Sequence, residues 1–430
     1  MGLLPCPFPC TTEKESQSHS NSLRSLESSA SASSLSSQIS LPSVPSLIPP
    51  SSQQHDHQIS VVYHQCLATL GGHSSYVFSL TLAGNLLYSG SSNSEMRAWR
   101  RDPSNSVHPD STDKIVATSI GAFKSLVIVG DRLFSAHQDC KIRVWKINNN
   151  NDDMHQKYNC IATLPTLNDR FLRFFSGKNY VQVRRHKKCT WVHHVDTVTA
   201  LAISRDGSLL FSASWDRTFK VWRTSDFRCL ESVSNAHDDA INAMILSNDG
   251  FVYTGSADKK IKSWNKQAGK KKYSLVATME RHNSAVNALA LSTDGSVLYS
   301  GACDRSILVW AKDANNSSGG GHMVAAGALR GHTKAILCLA VVSDLVCSGS
   351  ADKTVRIWRR GVEKNYYCLA VFEGHRGPVK CLTAAIDQSD NNGRGSVPDS
   401  AGTSYLVYSG SLDCDIRIWH IYLGSNSSIS

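Results

Sequence analysis

The chain has 430 residues, 41% of them hydrophobic, and a formal net charge of +10. That is enough for a large core, and no run approaches the roughly 18 apolar residues of a membrane span. The N-terminus has no basic stretch followed by an apolar one, so the expectation is a protein that is not secreted. The 13 scattered cysteines then read as reduced thiols of the cytoplasm or nucleus rather than as a disulfide framework.

Residues 1–57 are rich in Ser, with Pro, Gln and His and few large apolar side chains. Such a segment buries too little surface to offset its ordering entropy, and a disordered tail is predicted. Residues 59–70, ISVVYHQCLATL, read as a strand. From His73 onward one unit recurs. Its clearest copy is HNSAVNALALSTDGSVLYSGACDRSILVW at 282–310. An opening imidazole is followed by an alternating strand, an Asp-Gly turn, a short strand ending in Ser-Gly, a turn with Asp, and a strand ending in Trp. Period-2 strands separated by such turns make an antiparallel meander.

Seven Trp residues end the copies: Trp99, Trp145, Trp222, Trp264, Trp310, Trp358 and Trp419. Six positions earlier stand Asn93, Asp139, Asp216, Asp258, Asp304, Asp352 and Asp413, and ten earlier stand Ser89, Ser135, Ser212, Thr254, Ser300, Ser348 and Ser409. His73, His194, His237, His282, His332 and His375 open six copies, while the second has Ser119 at that place. The intervals of 42, 46 and 48 residues from Trp222 through Trp264 and Trp310 to Trp358 match four-stranded units arrayed in series.

The copies span about 73–119, 120–192, 193–235, 236–280, 281–330, 331–373 and 374–421, with a short tail at 424–430. The second is irregular: Trp145 and Trp222 are separated by a far longer stretch than their neighbours. Cys160–Leu164 and Cys189–Val192 compete for its outer strand, and likeness to Cys66–Leu70 favours the first. Residues 165–190 are then an insertion carrying the basic run Arg184-Arg185-His186-Lys187-Lys188. This run, like Lys270-Lys271-Lys272, is read as solvated loop charge between repeats. Residues 313–321 and 387–404 read as flexible polar loops.

On these landmarks the chain resembles the WD40-repeat β-propellers. The fold that this implies is all-β, a seven-bladed propeller over residues 58–423. The last copy has no outer strand of its own, so strand 59–70 should pair beside 416–420 and close the ring, removing free sheet edges. More narrowly, Leu164-Pro165-Thr166-Leu167, the run Asn179–His186 and the Ser-rich head resemble the plant JINGUBANG-type WD40 proteins. That likeness implies a plant regulator of pollen germination and tube growth in cytoplasm and nucleus.

Five copies hold the constituents of a catalytic triad plus a Trp: His194, Ser212, Asp216 and Trp222; His237, Thr254, Asp258 and Trp264; His282, Ser300, Asp304 and Trp310; His332, Ser348, Asp352 and Trp358; and His375, Ser409, Asp413 and Trp419. One active site needs one triad, not five. The family resemblance implies instead a buried network of Trp to hydroxyl to imidazole to Asp. No phosphate loop or metal-ligand spacing occurs, so no enzyme, cofactor or metal is expected.

The resemblance further implies a binding face formed by positions three and five after each His and one before each Asp. The candidates there are Tyr76, Phe78, Lys124, Gln138, Trp215, Asn242, Asn287 and Lys380. Aromatics beside cations suit an interface hot spot, so the expected partner is a protein, docking a peptide or acidic segment over blades 1 to 3 of a monomeric propeller. Two rivals are weaker. A cullin ligase receptor would carry Asp after the third-strand Trp, and none does. A nucleic-acid platform would rest on the 184–188 run alone.

Overall fold

The computed structural model describes residues 44–49, 62–101, 113–148, 157–174, 180–184, 187–266, 269, 272–312, 322–361, 364–387 and 402–424. Seven four-stranded antiparallel sheets form the fold. The inner strands follow one another in a ring: Val77–Ala83, Phe123–Val129, Val198–Ile203, Ile241–Leu246, Val286–Leu291, Ile336–Val342 and Val379–Ile386, the last adjoining the first. Each sheet is one blade of a seven-bladed β-propeller.

Blade 7 takes its outer strand from the other end of the chain. Val62–Leu70 pairs antiparallel with Ile416–Leu423, Cys66 opposite Trp419 and Leu70 opposite Ile416. This ties both ends of the ring into one sheet and leaves no blade short of a strand. In blade 2, Lys157–Leu164 is the outer strand, with Leu164 opposite Ile142. The 165–190 insertion is not merely a loop. It contains a helix, Leu167–Phe174, and a hairpin, Tyr180–Arg184 with Lys187–Thr190. Thr166 Oγ1 accepts from the Asp169 N–H at 3.2 Å and so caps the helix. Buried Asp169 in turn accepts from the Cys229 N–H of blade 3 at 2.7 Å, which fixes the insertion to its neighbour.

The core lies between blades. Apolar faces of adjacent sheets meet in clusters such as Val297, Tyr299, Val309, Ile336 and Trp358 between blades 5 and 6. The Ser-Gly pair in the second strand is explained by this packing. A Cβ on Gly301 would lie 2.4 Å from Ile336 Cγ2 of the next blade, and Gly255, Gly349 and Gly410 face Val286, Val379 and Val77 in the same way. The small residue sets how closely blades approach.

The expected tail at 1–57 needs one correction. Residues 44–49 lie against the outer edge of blade 5, with Leu47 and Ile48 packed on the cluster between blades 5 and 6 and Val44 on that between blades 4 and 5. The reason is local: three apolar side chains within five residues find a groove, which average tail composition conceals. The rest of the tail, residues 59–61, most of 387–404, the 313–321 loop and 425–430 lie outside the described residues. Thr403 and Ser404, assigned to the polar loop, begin the second strand of blade 7.

Candidate functional site

In blades 3 to 7 the His loop and the Asp turn come together at one rim of the ring. His Nε2 lies 2.8, 2.8, 2.7, 2.8 and 2.8 Å from the hydroxyls of Ser212, Thr254, Ser300, Ser348 and Ser409. The Trp indole N–H donates to the same oxygens at 2.8–3.0 Å. His Nδ1 lies 2.8–3.0 Å from Oδ2 of Asp216, Asp258, Asp304, Asp352 and Asp413. One proton order satisfies each chain: indole to hydroxyl, hydroxyl to Nε2, and Nδ1–H to carboxylate. The same Oδ2 accepts the backbone N–H of the residue after the His, such as Asn283 at 3.0 Å. Burial alone would raise the Asp258 and Asp304 carboxyls, but hydrogen bonds from His237 and His282 more than offset it and hold both at about 2.

The order is that of a serine hydrolase, yet all five hydroxyls have 0% exposure and each already accepts an indole proton. A sealed hydroxyl has no path to a substrate carbonyl. Among the described residues, no three His, Cys, Asp or Glu side chains come together as a metal site, and no helix is long and apolar enough to cross a membrane.

Blades 1 and 2 depart from the pattern. His73 Nε2 meets Ser89 Oγ at 2.6 Å, and Trp99 donates to Ser89 at 2.7 Å. Asn93 turns its amide to Ser74 Oγ at 2.6 Å instead, and His73 Nδ1 stays buried without a partner. The expectation that blade 2 lacks an imidazole is corrected. His137, on the second strand itself, places Nε2 2.7 Å from Ser135 Oγ, beside the Trp145 indole at 2.8 Å. Register explains this: His137 stands two residues after Ser135, where other blades carry Ser91, Ser214, Ser256, Ala302, Ser350 and Ser411. An imidazole there reaches the hydroxyl from the strand rather than from the loop. Asp139, released from that role, takes a two-pronged ion pair with Arg143, with Oδ2 2.5 Å from Nη2.

The face positions divide into two kinds. Asn242 Nδ2 donates to the Val286 carbonyl at 3.0 Å and Asn287 Nδ2 to the Ile336 carbonyl at 2.9 Å, each the first residue of the next blade's inner strand. Thr199 does the same to Ile241 at 2.7 Å. With 9% exposure, Asn287 is a brace between blades rather than a displayed contact, because its amide is used by the neighbouring backbone. Trp215, Lys380 and Phe78 are half-buried and Gln138 is exposed. Tyr76 is 49% exposed, its ring 6.4 Å from that of Phe78, and Lys124 Nζ lies 4.0 Å over the Phe78 ring. Tyr76, Phe78 and Lys124 therefore form one patch across blades 1 and 2. The side chains at 184–188 lie outside what is described.

The family model described as WD domain, G-beta repeat matches residues 64–100, 186–223, 227–265, 273–311, 324–359 and 366–420, more than half of the chain. The chain belongs to the WD40-repeat family. No matched segment falls within 101–185, where this WD40 protein has its blade 2 with the relocated imidazole and the insertion. It is 31% identical over 205 residues to Protein ROOT INITIATION DEFECTIVE 3 of Arabidopsis thaliana, covering 44% of this chain and 45% of that one. It is 27% identical over 165 residues to Zinc finger CCCH domain-containing protein 62 of the same plant, covering 38% and 37%. An uncharacterized WD repeat-containing protein of Schizosaccharomyces pombe is 25% identical over 274 residues, 56% of this chain and 72% of that one. The chain thus spans under half of the length of the two Arabidopsis relatives. Membership makes a protein-interaction scaffold the coarse functional reading.

Proposed function

We propose that this WD40 propeller is a non-catalytic platform that docks a peptide or acidic segment of a regulatory protein over blades 1 to 3. The observation that carries the reading is the patch of Tyr76, Phe78 and Lys124, where a half-exposed aromatic pair adjoins a cation on the rim that bears the His loops. Aromatic rings supply contact area with little entropy cost, and the ammonium selects carboxylates. Trp215 and Lys380, from blades 3 and 7, extend the same rim. The small residues of blades 4 to 6 and the bracing by Asn242 and Asn287 favour no docking there.

The finer reading is a monomeric plant regulator, acting in cytoplasm and nucleus in pollen germination and tube growth. Its support is the likeness of Leu164–Leu167 and Asn179–His186 to JINGUBANG-type proteins. The test is affinity purification from plant tissue with the wild type and the Tyr76→Ala/Trp215→Ala variant. Loss of specific partners at an unchanged melting temperature supports the face; partners retained in the variant would refute it.

A further inference from the structure

Residues 44–49 run parallel to the outer strand of blade 5, Met323–Leu329, with Ser46 bridged to Ala328. The Leu47 N–H donates to the Ala328 carbonyl at 3.0 Å, and the Ala328 N–H donates to the Pro45 carbonyl at 2.9 Å. Blade 6 joins in, the Tyr366 N–H donating to the Leu47 carbonyl at 3.0 Å, and Arg330, just after the blade 5 outer strand, donates from Nη2 to the Val44 carbonyl at 2.8 Å. Every one of these bonds reads backbone of the segment, as in strand addition to a sheet edge.

Side-chain selection comes from a notch. A Cβ built on Gly327 would lie 2.3 Å from Leu47 Cγ, so the leucine occupies the space that the glycine leaves open. Gly327 pairs with Val309, the residue before the blade's Trp. At the equivalent register blades 2, 4, 6 and 7 carry Ala162, Ala277, Ala370 and Ala68. Blades 1 and 3 carry Lys114 and Glu231, so a side chain stands there in every blade but the fifth. Glycine in a strand interior weakens the strand and marks close approach by another chain segment.

The segment is lightly held. Pro45 and Ser46 are exposed, and Val44, Leu47 and Ile48 are only half-buried. It joins Val62, the first residue of the strand paired in blade 7, through PSSQQHDHQISV, a mostly polar stretch. We propose that the outer edge of blade 5 is a binding site for an extended apolar peptide, and that Val44–Pro49 is its displaceable resident ligand. The site takes an extended strand that places Leu in the Gly327 notch between flanking aliphatic residues. A partner segment of that chemistry competes with the chain's own strap, whose tethering raises its effective concentration. This site is separate from the face over blades 1 to 3.

The test uses the full chain and a fluorescent peptide of residues 43–52. The peptide is titrated into the wild type, Leu47→Asp, and Leu47→Asp/Gly327→Ala, with melting curves taken on each. The expected result is binding to Leu47→Asp at least tenfold tighter than to the wild type, lost again when Gly327→Ala closes the notch. No binding to a folded Leu47→Asp protein, or equal binding to all three, would overturn the proposal. Native-state hydrogen exchange on the wild type decides the matter independently of any variant. The Leu47, Ala328 and Tyr366 amides should exchange together and at least tenfold faster than that of Leu308. Protection equal to Leu308 would make the segment a permanent strand and defeat the idea.

Discussion

His137 reaches back to Ser135 on its own strand, with Nε2 and Oγ 2.7 Å apart, and so supplies to blade 2 the imidazole that other blades bring from a loop. The consequence is a division of labour that the other blades lack. The indole, hydroxyl and ring are satisfied within the blade, and His137 Nδ1 lies 3.4 Å from the Gly121 carbonyl, but the Asp139 carboxylate is paired with Arg143 instead of holding the preceding loop as the Asp does in blades 3 to 7. In blade 5 the Asn283 N–H is held by Asp304 Oδ2 at 3.0 Å. The Ile120 amide should therefore exchange faster than the Asn283 amide, measured by hydrogen exchange. His137→Ala should cost about 2–4 kcal/mol, since it empties a site packed 4.5 Å from the Phe123 ring and strips Ser135 of its acceptor. A Ser119→His/His137→Ser double variant restores the ordinary arrangement and should recover at least half of that loss. A double variant no more stable than His137→Ala would contradict the register argument.

Trp310 is buried between blades 4 and 5 and donates its indole proton to Ser300. Trp310→Ala should destabilise by about 3–5 kcal/mol through the cavity and the unmet hydroxyl. Urea unfolding measures this, and an unchanged midpoint would show that the network adds nothing to stability.

Gly301 packs with no room for a side chain against Ile336. Gly301→Val should cost about 1–3 kcal/mol by overpacking and lower the melting temperature. Gly295→Ala, by contrast, meets open space but sits at φ 69°, so its cost comes from backbone strain alone and should be smaller. Equal losses at the two sites would refute the claim that blade spacing is what selects Gly301.

Acid should act in two separate windows. Burial, with the charge of Arg97 adding to it, pushes His73 down to about 4, and burial with Arg143 does the same to His137. The unfolded chain takes up both protons near pH 6.5 and the folded chain only near 4. Stability thus falls as pH drops between those values, by at most about 1.4 kcal/mol per pH unit for each ring. Asp258 and Asp304, held at about 2, contribute stability that is complete above their ordinary value near 3.8 and is lost progressively as pH falls from there to about 2. Calorimetry from pH 7.5 to 4 should show a falling melting temperature, with a shallower slope in His137→Gln. A flat profile would contradict the buried neutral rings.

The ring was legible in the chain because each landmark lies on a strand whose length and turns are local. Trp, hydroxyl and Asp keep their spacing whatever the loops do, and Val62–Leu70 resembles every other outer strand, which made the closure readable. His137 was not legible because a buried hydroxyl can donate to any acceptor in reach, and spacing counted from the loop misses a ring on the strand. Its one trace is an imidazole where the other blades have Ser or Ala. The face positions could be counted, but counting does not show that the amides of Asn242 and Asn287 are turned to the next blade. The Leu47 strap was hidden because the groove that orders it is built by Gly327 and Tyr366, far along the chain.

The most direct measurement places a photoreactive benzophenone side chain at position 76, and separately at Ile161 on the outer strand of blade 2, and compares the proteins captured on irradiation in plant extract. The account predicts specific adducts from position 76, abolished by Trp215→Ala, and none shared with position 161. The same adducts from both positions, or adducts from 161 alone, would contradict a docking face over blades 1 to 3.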